Sequence, residues 1–154
     1  LDYCNLVLEQ NHGVSVLLSA KVGETSQAVE RLYQEKERLS ARVLALEEEI
    51  FQGKARALAG ADQITLFEEG LEPDSLRRLT IALMEVCPGR CAVFSGSDQE
   101  GYKYAIGHKD GDLRQLIKAL NQTLNGRGGG KPFFAQGQVQ ASRGEIEAFL
   151  AQWE

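Results

Sequence analysis

No apolar run in this chain approaches the roughly 18 residues that a membrane-spanning helix needs, and no signal peptide opens it. Cysteine is scarce: only Cys4, Cys87 and Cys91. So low and odd a number argues against a disulfide framework and fits a reducing, cytoplasmic setting. The run Cys87-Pro-Gly-Arg-Cys91 has the outline of a metal half-site. No second Cys or His pair completes four ligands, so no metal is expected. The spacing reads better as a turn at Pro88-Gly89, with each thiol at the apolar end of a regular element. His12 and His108 are isolated. An excess of positive charge is also missing. The net charge is −5, from 17 Lys and Arg against 22 Asp and Glu, which speaks against indiscriminate nucleic-acid binding. The chain starts at Leu1 rather than Met, so a longer parent with its catalytic site upstream is expected.

What is present falls into two parts. Tyr3, Leu6, Val7, Val14, Leu17 and Leu18 give a loose helical pattern, which "KVGETS" interrupts. A strict heptad order follows: Val29, Leu32, Lys36, Leu39, Val43, Leu46, Ile50, Gly53 and Ala57, with charged residues between. Such a seam predicts a coiled coil, about 50 Å long from Ser26 to Ala59 at roughly 1.5 Å per residue. The first helix is too short to cover it, so a second chain is expected along Val29, Leu32, Leu39, Val43, Leu46 and Ile50, making a homodimer. Residues 1–60 therefore read as a helical hairpin and coiled coil.

Residues 61–154 read as a globular α/β head. "QITLFEE" predicts a strand. Pro73 opens a helix carrying Leu76, Leu79, Leu83 and Val86. "RCAVFSGS" and "GYKYAIGH" form a hairpin across Asp98 to Gly101. "DLRQLIKALNQTLN" predicts a helix with Asp112 as N-cap, a Leu-rich inner face, and Arg114, Lys118 and Gln122 on the outer one. "KPFFAQGQV" reads as the last strand. Ser142 and Glu145 make a capping box for a final helix whose Ile146, Phe149, Leu150 and Trp153 face inward. The order β-α-β-β-α-β-α gives an α+β protein: an arm, then a small sandwich with a mixed sheet.

One passage resists this reading, "NGRGGGKPFFAQGQVQ" at 125–140. It uses Gly126, Gly128, Gly129 and Gly130 where a tight turn needs one or two, each costing roughly 0.5–1 kcal/mol of conformational entropy. A phosphate-binding P-loop fails, because counting back from Gly130-Lys131 lands on Asn125 instead of glycine and Pro132 replaces the required Ser or Thr. A dinucleotide fingerprint fails because the glycines lie between a helix and a strand and Lys131 stands where the last glycine should be. Two readings remain: an amide-rich loop that binds anions, or a mobile connection whose glycines cap a helix and turn the chain. Arg114, Lys118, Arg127, Lys131 and Arg143 lie between Leu113 and Gly144 with no acidic residue among them. Such local basicity can serve phosphate contact within about 10 Å in an acidic protein.

The run Gly128, Gly129, Gly130, Lys131, then Ala135, Gln136 and Gly137, resembles the motif of the DHH-associated domain found at the C-terminus of alanyl-tRNA synthetases and AlaX-type editing proteins. Upstream, "LDY", "LLS" and "AVERL" opening a long coil are similar to the same proteins, so the resemblance spans nearly the whole chain. It implies a tRNA-binding and dimerising module, with alanine tRNA as partner and Arg114, Lys118, Arg127, Gly128, Gly129, Gly130, Lys131 and Gln136 at the nucleic acid. It implies that the parent is a trans-editing hydrolase acting on mischarged alanine tRNA, or a ligase, with zinc bound upstream. The editing motifs His-x-x-x-His and Cys-x-x-x-His are absent here, so no catalytic residue and no cofactor are assigned to these residues. Phe133 and Phe134 depart from the family pattern; one is expected in the core. Two other readings stay open: a pure coiled-coil assembly module, and the substrate-binding half of a DHH-type phosphoesterase, although no Asp-His-His is present.

Overall fold

The computed structural model describes residues 1–153. The chain divides into two compact units, Leu1–Leu46 and Glu47–Glu154. In the first lie α1 (Asp2–Leu17), a short 3₁₀ turn (Val22–Glu24) and the start of α2 (Thr25–Ala57). Ser15 and Ala28 are its buried residues. The Thr25 hydroxyl meets the Asn11 side-chain oxygen at 3.2 Å, and that of Ser15 donates to the Ala20 carbonyl. Little else closes. Leu6, Val16 and Leu17 on α1 are all more than half exposed. Along α2 the expected seam, Val29, Leu32, Leu39, Val43, Leu46 and Ile50, is 42–56% exposed.

The second unit begins with the last turns of α2, and there the helix turns a different side chain inward. Phe51 and Ala55, outside the heptad seam, are 3% and 1% exposed and join a core with Leu76, Leu79 and Leu83. Glu47 accepts from the Ser75 hydroxyl at 3.0 Å and pairs with Arg78; Lys54 pairs with Glu68. These partners fasten the end of α2 to the helix and strand that follow.

The sheet has five strands: β1 (Ile64–Glu68), β2 (Arg90–Ser97), β3 (Gly101–His108), β4 (Arg127–Lys131) and β5 (Phe134–Val139), in the order β1-β2-β3-β5-β4. β1 and β2 are parallel, and α3 (Pro73–Val86) supplies the crossover that parallel neighbours need. The other pairs are antiparallel. β2 is buried on both faces, which is why "CAVF" is a continuous apolar run rather than an alternating one. Cys91 and Val93 face α3 and the end of α2; Ala92 and Phe94 face α4 (Arg114–Thr123) and α5 (Arg143–Ala151). Cys87 and Cys91 are both buried core residues.

Most expected elements stand where the sequence puts them. Pro73 is at the first turn of α3, and the Ser142–Glu145 capping box is made in both directions. Three details differ. The cap of α4 is Leu113, and Asp112 serves from one residue further out, its Oδ1 accepting the Arg114 N–H at 3.1 Å. Trp153 remains 37% exposed although Ile146, Phe149 and Leu150 are buried. The glycine run is not a loop: Arg127–Lys131 is a strand, β4, and the last predicted strand starts at Phe134 after a turn at Pro132-Phe133.

A candidate nucleic-acid interface at the sheet edge

β4 ends the sheet. One side pairs with β5, from Arg127 opposite Gln138 to Lys131 opposite Phe134, and the other faces no strand. All five of its residues are exposed. Two connections fix its ends. The Gly126 N–H donates to the Asn121 carbonyl at 2.8 Å as α4 finishes, and the Leu113 N–H donates to the Pro132 carbonyl at 2.7 Å beyond Lys131.

The glycines have different reasons to be there. Tyr104 rises from β3, and its Oη is 3.1 Å from Asn121 Oδ1, while Asn121 Nδ2 donates to the Gly128 carbonyl at 3.1 Å. The tyrosine hydroxyl sits directly beneath the β4–β5 hairpin. A Cβ at Gly128 or at Gly137 would lie under 3.0 Å from it. These two glycines admit the Tyr104–Asn121 relay that holds β4 in place. Gly129 is unlike them. A Cβ there would meet nothing within 4 Å, and its backbone angle is one that any residue adopts. Among the described residues nothing requires glycine at 129, and its position leaves the outer side of the strand bare.

Side chains on a strand alternate between faces. Gly128 and Gly130 pair with Gly137 and Ala135 and share the α4 face, where Ala135 is buried. Arg127, Gly129 and Lys131 share the α3 face with Phe134 and Gln136. The candidate residues are therefore split by the edge. A groove of ≈400 Å³ between α4 and β4 is lined by Arg114, Lys118, Gln122 and the backbone of Gly128 to Lys131. On the other side Arg127 borders a concavity with Pro73, Lys103 and Gln136.

The cations are not equal. Arg114 is held by Asp112, Nη2 to Oδ2 at 2.6 Å, and that guanidinium lowers the carboxyl to about 2. Arg143 pairs with Glu147 at 2.8 Å and lies over the Phe67 ring, 4.5 Å from its centre. Lys118, Arg127 and Lys131 form no ion pair among the described residues, so their charge is available. Gln136 is engaged: its Nε2 donates to the Pro73 carbonyl at 2.8 Å and joins β5 to the start of α3. Tyr104 and Asn121 escaped the sequence reading. Their only signal was indirect, a glycine at 137 as well as 128, both small enough for a buried phenol between them.

Among the described residues no group of three or more His, Cys, Asp or Glu side chains could hold a metal ion. No helix of the described residues is long and apolar enough to cross a membrane.

The chain is 33% identical over 85 residues to an alanine–tRNA ligase of Acholeplasma laidlawii (strain PG-8A); the match takes in 55% of this chain and 10% of that protein. It thus spans about a tenth of the length of this curated relative. The C-Ala domain of Aquifex aeolicus alanyl-tRNA synthetase superposes with a TM-score of 0.50 at 20% identity, covering 59% of this chain and 86% of that one. RecJ of Thermus thermophilus, solved with Mg²⁺, superposes with a TM-score of 0.57 at 19% identity, covering 86% of this chain and 20% of that one. These two likenesses are of fold. The DHHA1 domain model matches residues 60–154, the whole sheet with its hairpin edge and the Gly-Gly-Gly-Lys strand, and the chain belongs to the DHHA1 domain family.

Proposed function

We propose that this chain is the tRNA-binding and dimerisation module of a protein related to alanyl-tRNA synthetase, a trans-editing hydrolase of mischarged alanine tRNA whose zinc-dependent catalytic part lies upstream. The 33% identity to part of an alanine–tRNA ligase supports the relation to alanyl-tRNA synthetase over the phosphoesterase reading; the trans-editing activity rests on the family resemblance alone. One observation carries the nucleic-acid part: an exposed strand edge, bare at Gly129, flanked on its two faces by Lys118 and by Arg127 and Lys131. Without side chains the edge lets a ribose-phosphate backbone come close, and the cations on either side hold its phosphates.

The test is binding of the chain to alanine tRNA and to an unrelated tRNA over a salt series, by fluorescence anisotropy. Arg127→Ala with Lys131→Ala is expected to weaken binding and reduce the slope of log K against log salt by about 2. An unchanged affinity and slope would overturn the reading. Equal affinity for both tRNAs would keep the site and remove the alanine specificity.

The exposed seam supports the dimerisation part. Six apolar residues 42–56% exposed along one helix stripe are what a second copy would cover. Leu39→Asp is expected to convert a dimer to a monomer in sedimentation equilibrium. A wild-type chain that is monomeric at high concentration would remove this part alone.

A further inference from the structure

A third concavity borders β4, and of the proposed phosphate contacts only Lys131 and the backbone of Gly129 and Gly130 reach it. It lies between α3 and the β4–β5 turn, with a volume of ≈530 Å³, and its apolar wall is Ile81, Met84, Phe133 and Phe134. Phe133 is the unusual member. It is a large apolar ring, 47% exposed, on the tip of a hairpin. Exposed hairpin tips are ordinarily mobile and polar, yet this one is pinned from both sides. The His108 N–H donates to the Phe133 carbonyl at 2.9 Å, and the Leu113 N–H donates to the neighbouring Pro132 carbonyl. The floor is fitted as well. Gly107 leaves room for the Met84 thioether, which any Cβ at 107 would overlap.

The rim is basic. Lys109 and Lys131 line the cavity and form no ion pair among the described residues. Lys131 Nζ stands 5.8 Å from the centre of the Phe133 ring. Arg77 adds a third cation, shared with Asp74 at 2.9 Å, and Glu85 is the one carboxylate in the lining. A flat apolar wall with a cationic rim suits a flat apolar group that carries negative charge beside it. A nucleobase on its phosphate has that chemistry; an aliphatic chain or an acidic peptide has half of it. The cavity is also continuous with the edge strand, since Gly129, Gly130 and Lys131 line both it and the α4 groove.

We propose that this cavity seats one unstacked base of a single-stranded nucleic-acid segment, with the Phe133 ring, carried on a backbone held at both residues of the turn, as its stacking platform. The proposal rests on the reading of β4 as a phosphate-contacting edge and adds where a base goes once the backbone is there. It requires no particular base, because every base has a π-face.

Two probes separate the two claims: a fluorescein-labelled single-stranded RNA and the same backbone with its bases removed, both titrated with the full chain. Phe133→Ala is expected to weaken the base-bearing strand roughly 5- to 150-fold and to leave its salt slope unchanged, since no cation is lost. Phe133→Trp should bind at least as well as the wild type. The abasic strand should not distinguish wild type from Phe133→Ala. Equal affinity of wild type and Phe133→Ala for the base-bearing strand overturns the base seat and leaves the phosphate edge standing. Failure of the wild type to bind either probe at low salt overturns both. The ring is half exposed, so its loss leaves the core intact, and an unchanged thermal transition of Phe133→Ala verifies this.

Discussion

The two compact units use their apolar residues in opposite ways. In Glu47–Glu154, Leu79, Leu83, Phe94, Ile106, Leu120 and Ile146 are fully buried between sheet and helices. In Leu1–Leu46 the large apolar residues stay at the surface, and burial stops at Ser15 and Ala28. Each fully buried Leu or Phe contributes about 1.5–3 kcal/mol by leaving water. The sheet unit collects that many times over; the helical unit collects almost none of it alone. Helix α2 shows the contrast within a single element. Its heptad stripe faces water, while Phe51 and Ala55 on another stripe sit in a core. The helix is apolar on two stripes: one has its partner within the chain, and the other is the one the proposed dimer would cover.

The largest expected break in that contrast is at Leu79, which is 0% exposed. Leu79→Ala should destabilise the sheet unit by about 2–5 kcal/mol in urea unfolding, whereas Leu32→Ala on the seam, measured at concentrations where the chain is monomeric, should move the same transition by less than about 0.5 kcal/mol. A large effect at Leu32 in the monomer would mean that the seam is packed within one chain. A smaller contrast lies inside β4. Gly128→Ala should cost about 1–3 kcal/mol, because its methyl must displace the Tyr104 hydroxyl and the β5 backbone. Gly129→Ala should leave stability unchanged or raise it by up to about 1 kcal/mol, and weaken tRNA binding. The smallest effect concerns reactivity, not stability. Burial first, then the neighbouring Cys87, push the Cys91 thiol up to about 12. A thiol reacts as its thiolate, so at pH 8 Cys91 stays protonated and inert. Iodoacetamide followed by mass spectrometry should label exposed Cys4 in the native chain, and Cys87 and Cys91 only after unfolding.

The sequence was most readable where a residue type has one physical job. Pro73 can open a helix but not continue one, and Ser142 with Glu145 satisfies two orphan amides at once, so both boundaries were visible. β4 was not, for an equally physical reason. Strand patterns are read from side chains that alternate, and three consecutive glycines have none to alternate. Pairing with β5 and the Tyr104–Asn121 relay make the strand, and both lie elsewhere in the sequence. Phe51 and Ala55 were hidden by the heptad itself, whose regularity drew attention to the other stripe. The candidate residues were legible as a basic, glycine-rich run, but their geometry was not. Alternation about β4 sends Arg127 and Lys131 to one face, and α4 brings Arg114 and Lys118 to the other.

The open edge of β4 has a second consequence, for solubility. A strand with unpaired amides and carbonyls on one side is a template for any other extended chain, and a strand without side chains offers no steric obstacle to it. Here the strand is five residues long and begins and ends on a cation, Arg127 and Lys131. Two copies brought edge to edge in antiparallel register would set Arg127 of each against Lys131 of the other. The same charges that favour a polyanion thus repel a second strand, and the edge stays open to one kind of neighbour by being hostile to its own.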